Sequence, residues 1–324
     1  MFYHSFPRRS TSQTVEQKGL EILESILKLG ILLVPEVIEY PSEQFSSNIE
    51  QSYYRLIQSR FCLTKLDINK LADHARFFGT FHLEFSYNSI IELGAIPVMY
   101  LPRIDKTSDP LSLKHLASSF IYRLCELQNL CEDIHNLELI ASTNKKDKKV
   151  KILRGNDGQT IDINIKQLRN ILEIITCNIA PYSEIYGAIQ GMASLFYPSD
   201  LNYNNEFKML HYYNQHEWRI VGGISINGNR LDTSLNLEEK DMLQEIDKSF
   251  FTKEFPYGRE KDLLINGCSV IKIVNEKSIH NFITRIIVPS GQLAIAKEIA
   301  DRYCFPKEKI VSINQAICSI EYEI

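Results

Sequence analysis

The chain has 324 residues, 44% of them hydrophobic and 23% charged, enough to bury the core of one large domain or two small ones. A net charge of −4 argues against a general attraction to nucleic acid or to an anionic membrane surface and leaves only local basic patches. The longest apolar runs, such as Ile31 to Pro35, fall far short of the roughly 20 residues a membrane-spanning helix needs.

The first residues, MFYHSFPRRSTSQT, hold two arginines but no apolar run or small-residue cleavage site, so no secretion signal is expected. Thr14 to Gln17 has the pattern of a capping box, and Leu20, Leu23 and Leu27 then recur at helical spacing up to a stop at Gly30. Pro35 and Pro41 suggest an irregular segment running to Asn48, followed by a short strand over Arg60 to Thr64. Asp67 can cap a helix carrying Ile68, Leu71, Ala72 and Ala75 that ends at Gly79. In TFHLEF, Phe81, Leu83 and Phe85 alternate with His82 and Glu84, the pattern of a strand with one buried and one solvated face. A short helix from Ile90 to Leu93 and a strand from Ile96 to Leu101, broken early by Pro97, complete the N-terminal part.

Residues 109 to 141 read as helix, NKKDKKVK from Asn144 as a solvated loop, RGNDGQT from Arg154 as a turn, and residues 165 to 175 and 182 to 195 as helices. Strand signals return at Glu217 to Ile226, where the Gly222–Gly223 pair suggests a bend and Asn227–Gly228 a hairpin turn. A helix over 237–246, strands over 269–274 and 283–288, a helix over 291–303 and a last short strand follow.

The expected fold is α+β: a mixed sheet built from the N- and C-terminal strand groups, with a helical insertion in the middle. Residues 1–108 and 211–324 would form one domain and residues 109–210 the insertion. Seven cysteines, with no CxxC pair, read as reduced and mostly buried thiols of a cytoplasmic protein, and no metal site is expected.

Three polar clusters are candidates for a site. In HEWRIVGGI, alternation places Glu217 and Arg219 on one strand face and Trp218 on the other. They form either a catalytic carboxylate beside a phosphate-holding arginine, or a solvent-side ion pair flanking a core tryptophan. Near the start, His4 could reach a ligand at a sheet edge, and Arg8 and Arg9 could hold a phosphate or simply face solvent. In the third cluster, His74 reads as a helix-surface or partly buried histidine, and His82 lies with Glu84 on the polar face of its strand. P-loop, GxGxxG, HExxH and GxSxG patterns are absent.

The order of YHSF, GLEILESILKLGILLVPE, RFCLTKL, LADHARFFGTFHLEFSYNSIIELGAIPVMYL, HEWRIVGG, ITRIIVPSG and FPKEKIVSI resembles the abortive-infection AbiG-type (AbiGi) proteins. It is more loosely similar to a wider group from bacterial defence loci. The resemblance covers both ends of the chain well and the helical middle poorly. It implies a role in phage defence beside a neighbouring defence-system protein or a phage component, in the manner of an antitoxin.

In layout alone the chain also resembles ADP-ribosyltransferases. That likeness implies NAD as cofactor, with Glu217 and His4 as catalytic residues. The aromatic stretch with Phe78, or the Ser86–Tyr87 pair, would stand in the middle position. The expectation is thus an NAD-using transferase or glycohydrolase, or else a non-catalytic antitoxin or sensor that binds a partner. Nucleic acid is not indicated.

Overall fold

The computed structural model describes residues 1–7, 15–41, 53–101, 113–143, 149–154, 159–176, 189, 191–192, 195–198, 216–223, 225–226, 229–257 and 260–318. The chain divides into two compact units. One comprises Met1–Tyr40, Arg55–Pro102 and Ser194–Ile324, the other Pro41–Tyr54 and Arg103–Ala193.

The first unit opens with strand β1 (Phe2–Phe6), helix α1 (Val15–Leu29) and the long strands β2 (Ile31–Pro41) and β3 (Tyr53–Lys65). Leu23, Ile26 and Leu27, at helical spacing, are the buried stripe of α1. Its end is set by Gly30, at φ +105°, where a Cβ would also collide with the Ile271 carbonyl. Thr14, the expected cap, lies outside the described residues. The irregular segment expected after Pro35 is instead strand up to Pro41, and Pro35 itself is buried there. Residues 42–52 are outside the description.

Asp67 starts a single 3-10 turn by accepting the Asn69 amide at 2.9 Å, and the turn runs into α2 (Leu71–Phe78). Gly79 ends α2 at φ +113°, and its missing side chain lets the helix end lie directly against the Phe6 carbonyl of β1. Strand β4 (Phe81–Phe85), helix α3 (Tyr87–Glu92) and the short strands β5 (Ile96–Pro97) and β6 (Met99–Leu101) follow.

The second unit contains helix α4 (Leu113–Thr143), a hairpin of β7 (Lys149–Arg154) and β8 (Gln159–Asn164), and helix α5 (Ile165–Thr176). Ile165, Leu168 and Leu172 of α5 bury against Ala141 and its neighbours on α4, and Arg169 fastens the helix pair by donating to the Ala141 carbonyl at 2.8 and 2.6 Å. Lys149 to Lys151, expected as the end of a solvated loop, instead open β7, and Arg154, Gln159 and Thr160 of the expected turn are paired in this hairpin. Lys145 to Lys148 and the turn residues 155–158 lie outside the described residues, as does nearly all of the helix expected over 182–195.

Back in the first unit come β9 (Phe196–Pro198), β10 (Glu217–Val221), β11 (Ser225–Ile226), β12 (Asn229–Arg230), β13 (Thr233–Ser234), α6 (Leu237–Ile246) and α7 (Lys248–Phe251). They are followed by β14 (Glu254–Tyr257), β15 (Glu260–Leu263), β16 (Ser269–Ile271), β17 (Ile273–Val274), β18 (Lys277–Ser278), β19 (Ile283–Val288), α8 (Leu293–Arg302), β20 (Ile310–Ser312) and a last helix, α9 (Ile313–Cys318). Gly222 and Gly223 form the turn that ends β10, and β11 and β12 pair across the Asn227–Gly228 position.

The fold is α+β. Ten strands of the first unit form one sheet in the order β13-β16-β2-β3-β1-β4-β19-β20, with β10 pairing to β3 and β5. Strands from both ends of the chain share it: the N-terminal block β2-β3-β1-β4 is flanked by the C-terminal strands β16 and β19, and β10 runs antiparallel to β3. One face carries Phe2, Phe6, Phe61, Leu63, Phe81, Leu83, Phe85 and Ile220, covered by residues of α1, α3 and α8. Each such side chain contributes about 2 kcal/mol by leaving water. The other face joins Tyr3 and Ile287 to Ile68, Leu71 and Ala316, from the α2 region and α9. Among the described residues no helix is long and apolar enough to cross a membrane.

Candidate functional site

The second sheet face is where the polar residues converge. Directly opposed residues of antiparallel strands share a face. Glu217 opposes Thr64 and Arg219 opposes Cys62; Thr64 opposes Tyr3 on its other side; Tyr3 opposes Glu84 and Ser5 opposes His82. Glu217, Arg219, Cys62, Thr64, Tyr3, Ser5, Glu84 and His82 thus form one polar band across four strands.

At one end, Arg219 Nε donates to Glu217 Oε1 at 2.8 Å and the Tyr100 hydroxyl donates to Glu217 Oε2 at 2.5 Å. Glu217 is 8% exposed and Arg219 1%. Burial by itself would raise the Glu217 carboxyl, but Arg219 and the Tyr100 hydroxyl outweigh it and hold the group below the usual carboxylate range. Burial and the nearby Glu217 charge push the Tyr100 hydroxyl and the Cys62 thiol up, so Cys62 is not an activated thiolate. The ion pair expected on the solvent side is therefore buried: the face opposite the main core is covered too.

At the other end stands a second set of the same composition. Arg285 grips Glu84 with two bonds of 2.8 Å, from Nε to Oε1 and from Nη2 to Oε2, and the Tyr3 hydroxyl donates to Oε2 at 2.9 Å. Glu84 is 0% exposed, while the Arg285 side chain remains 22% exposed.

Two residues along the same strands from the Tyr3–Glu84 pair, Ser5 Oγ lies 2.8 Å from His82 Nδ1 and 3.2 Å from His74 Nδ1. A serine has one proton to give, so at least one of the two imidazoles must donate its own Nδ1–H and carry a bare lone pair at Nε2. Burial pushes His74 down to about 4; burial, with His74 and His4 nearby, pushes His82 down to about 3. Both rings are neutral near pH 7. The Nε2 atoms of both, and Thr80 Oγ1, are buried with no hydrogen-bond partner among the described residues. His82 is 0% exposed, which corrects the solvated strand face expected for it and for Glu84.

Beside His74 opens a groove of about 730 Å³, lined by α2 and by residues near the ends of β1, β3 and β10. Lys65, Lys70, His74, Phe77, Phe78 and His216 contribute to its wall.

The structure separates the two residues on which an ADP-ribosyltransferase-like reading depends. His4 opposes Leu83, stacks on Phe61 at 3.9 Å between ring centroids and has its Nδ1 2.8 Å from the Cys62 carbonyl, all on the main-core face. Glu217 is on the opposite face, and both of its oxygens are engaged. The residues present do not fit NAD held between His4 and Glu217. Tyr87 also belongs to the core side, where it and Phe2 flank Trp218 at 6.3 and 5.4 Å. Arg8 and Arg9 lie outside the described residues. His74, His82 and Phe78, by contrast, are brought together: Phe78 stacks on His74 at 4.4 Å.

Sequence reading missed Tyr3, Ser5, Tyr100 and Arg285. The odd–even pattern of FYHSF could have paired Tyr3 with Ser5, but Arg285 in ITRIIV carries no local signal that it meets Glu84. Among the described residues no group of three or more His, Cys, Asp or Glu side chains could hold a metal ion. Compared with family models, with curated proteins and with solved structures, the chain matches none.

Proposed function

We propose that this protein is a non-catalytic binding component, of the antitoxin or sensor class, in a cytoplasmic bacterial anti-phage defence system. The defence setting rests on the resemblance of the YHSF, LADHARFFGTFHLEF and HEWRIVGG segments to the AbiG-type proteins. The choice of a binding role over an NAD-consuming one rests on a single observation: Glu217 spends one oxygen on Arg219 and the other on Tyr100, on the sheet face opposite His4. A carboxylate that must stabilise an oxocarbenium-like centre has to face it with a charge not already balanced, whereas Glu217 is buried and ion-paired with Arg219. Cys62, Cys131, Cys268, Cys304 and Cys318 are free thiols, of which Cys131 and Cys268 are buried, in keeping with a reducing compartment though not with thiols that are mostly buried.

The test is NAD turnover by the purified protein, with expression alone and expression beside the neighbouring defence protein run in parallel. The expected outcome is no NAD consumption, harmless expression and co-purification with the neighbour. NAD consumption that Glu217→Gln abolishes while the fold is retained overturns the reading.

A further inference from the structure

The groove beside α2 is not used by the buried Glu217 set, and its wall combines two chemistries. The first is aromatic. Phe77 is 57% exposed, a cost in apolar surface that a covering ligand would remove, and Phe78 is held in place by stacking on His74. The second is cationic. Lys65 and Lys70 are exposed and neither enters an ion pair among the described residues. Two carboxylates share the wall: Asp67, which caps the 3-10 turn through the Asn69 amide, and Asp73, which faces the exposed Arg76 at 3.7 Å. His74 backs them as a fixed ring: its Nδ1 is tied to Ser5, its Nε2 is buried, and its face stacks on Phe78.

The volume of about 730 Å³ lies within the roughly 300–1,000 Å³ of small-molecule sites. An inorganic anion would fill little of it and leave Phe77 wet. A purely apolar ligand would strip water from two lysines without replacing it. A ligand with a planar ring at one end and a phosphate at the other answers both.

We propose that the groove formed by Phe77, Phe78, His74, Lys65 and Lys70 binds a nucleoside phosphate, the ring stacked on Phe77 and the phosphate held by the two lysines. This deepens the sensor reading above by naming the class of ligand sensed.

The test is calorimetric titration of the full chain with AMP, adenosine and inorganic phosphate as probes, NAD turnover being followed on the same samples. AMP is expected to bind, and adenosine and phosphate to bind at least about tenfold more weakly, because each supplies only one half of the recognition. Phe77→Ala, at an exposed position that the fold tolerates, is expected to weaken AMP about tenfold. Lys70→Glu should weaken AMP at least as much and flatten the dependence of affinity on salt.

No AMP binding up to about 5 mM, a range that covers weak ligands, overturns the proposal. So does AMP affinity equal to that of phosphate, or unchanged in both variants. The two readings fail separately: NAD turnover with AMP bound in the groove ends the non-catalytic reading and keeps the site, while absence of both AMP binding and turnover ends the site and keeps that reading.

Discussion

Glu84 and Glu217 sit on the same face of the same sheet, with β1 and β3 between them, and each is answered by an arginine and a tyrosine hydroxyl. The two sets differ in geometry and in water. Arg285 binds Glu84 as a fork and keeps 22% of its side chain in solvent, so its charge is partly hydrated. Arg219 meets Glu217 through Nε at 2.8 Å and is only 1% exposed. A buried ion pair gains stability from its partner only to the extent that the partner replaces lost water. The same three side-chain types therefore make a set that suffers less from losing its carboxylate at one place than at the other.

That comparison predicts an order of effects. Glu217→Ala strands a nearly dry guanidinium and is expected to cost about 4 kcal/mol of unfolding free energy, measured by urea titration. Glu84→Ala leaves an arginine that can turn toward water and should cost less, about 3 kcal/mol. The reverse order would break the comparison. Removing both charges together, as Glu217→Leu with Arg219→Met, should recover most of the loss of the single Glu217 variant, since no charge is then left buried without its partner.

A pH profile is the next largest effect. His74 and His82 are depressed to about 4 and about 3 in the folded state, against about 6.5 in an unfolded chain. Above about pH 6.5 both states are neutral and nothing changes. As pH falls below that, the unfolded chain takes up protons that the folded one refuses, so stability is lost, by up to about 1.4 kcal/mol per pH unit for each histidine. The His74 part ends near pH 4 and the His82 part near pH 3. His82→Gln should remove one proton's worth of slope in denaturant midpoints followed from pH 7 to pH 4.5, about the accessible range; an unchanged slope would show that His82 does not report this burial.

The smallest effects belong to the tyrosines. Tyr100→Phe removes the hydroxyl that donates to Glu217 and is expected to cost about 2 kcal/mol. Tyr3→Phe should cost about 1 kcal/mol, because Glu84 keeps both bonds from Arg285. Equal losses, measured side by side by thermal unfolding, would mean that the fork on Glu84 is weaker than its geometry indicates.

Much of the fold was legible in local pattern. The apolar stripe of α1, the Asp67 start and Gly79 stop around α2 and the alternation of β4 all follow from spacing that a short window contains, and the sheet shared by N- and C-terminal strands follows from the order of strand and helix signals along the chain. Within the site, the pairing of Glu217 with Arg219 was legible because residues two apart on a strand share a face. Strand β2 was not, because two prolines suggested a break in a segment whose tertiary neighbours keep it extended.

By itself, then, the amino-acid order determined the fold class, the face on which each strand residue lies and the candidate ion pair. What only the tertiary structure decided was which faces meet, and with what cover. It put His4 and Glu217 on opposite sides of the sheet, buried the face expected to be wet, and joined Arg285 to Glu84 across 201 positions of chain. The physical reason is that alternation states only that two neighbours point apart. Whether the second face meets water or another layer depends on helices such as α2 and α9, whose docking on that face is set by nothing within the strands.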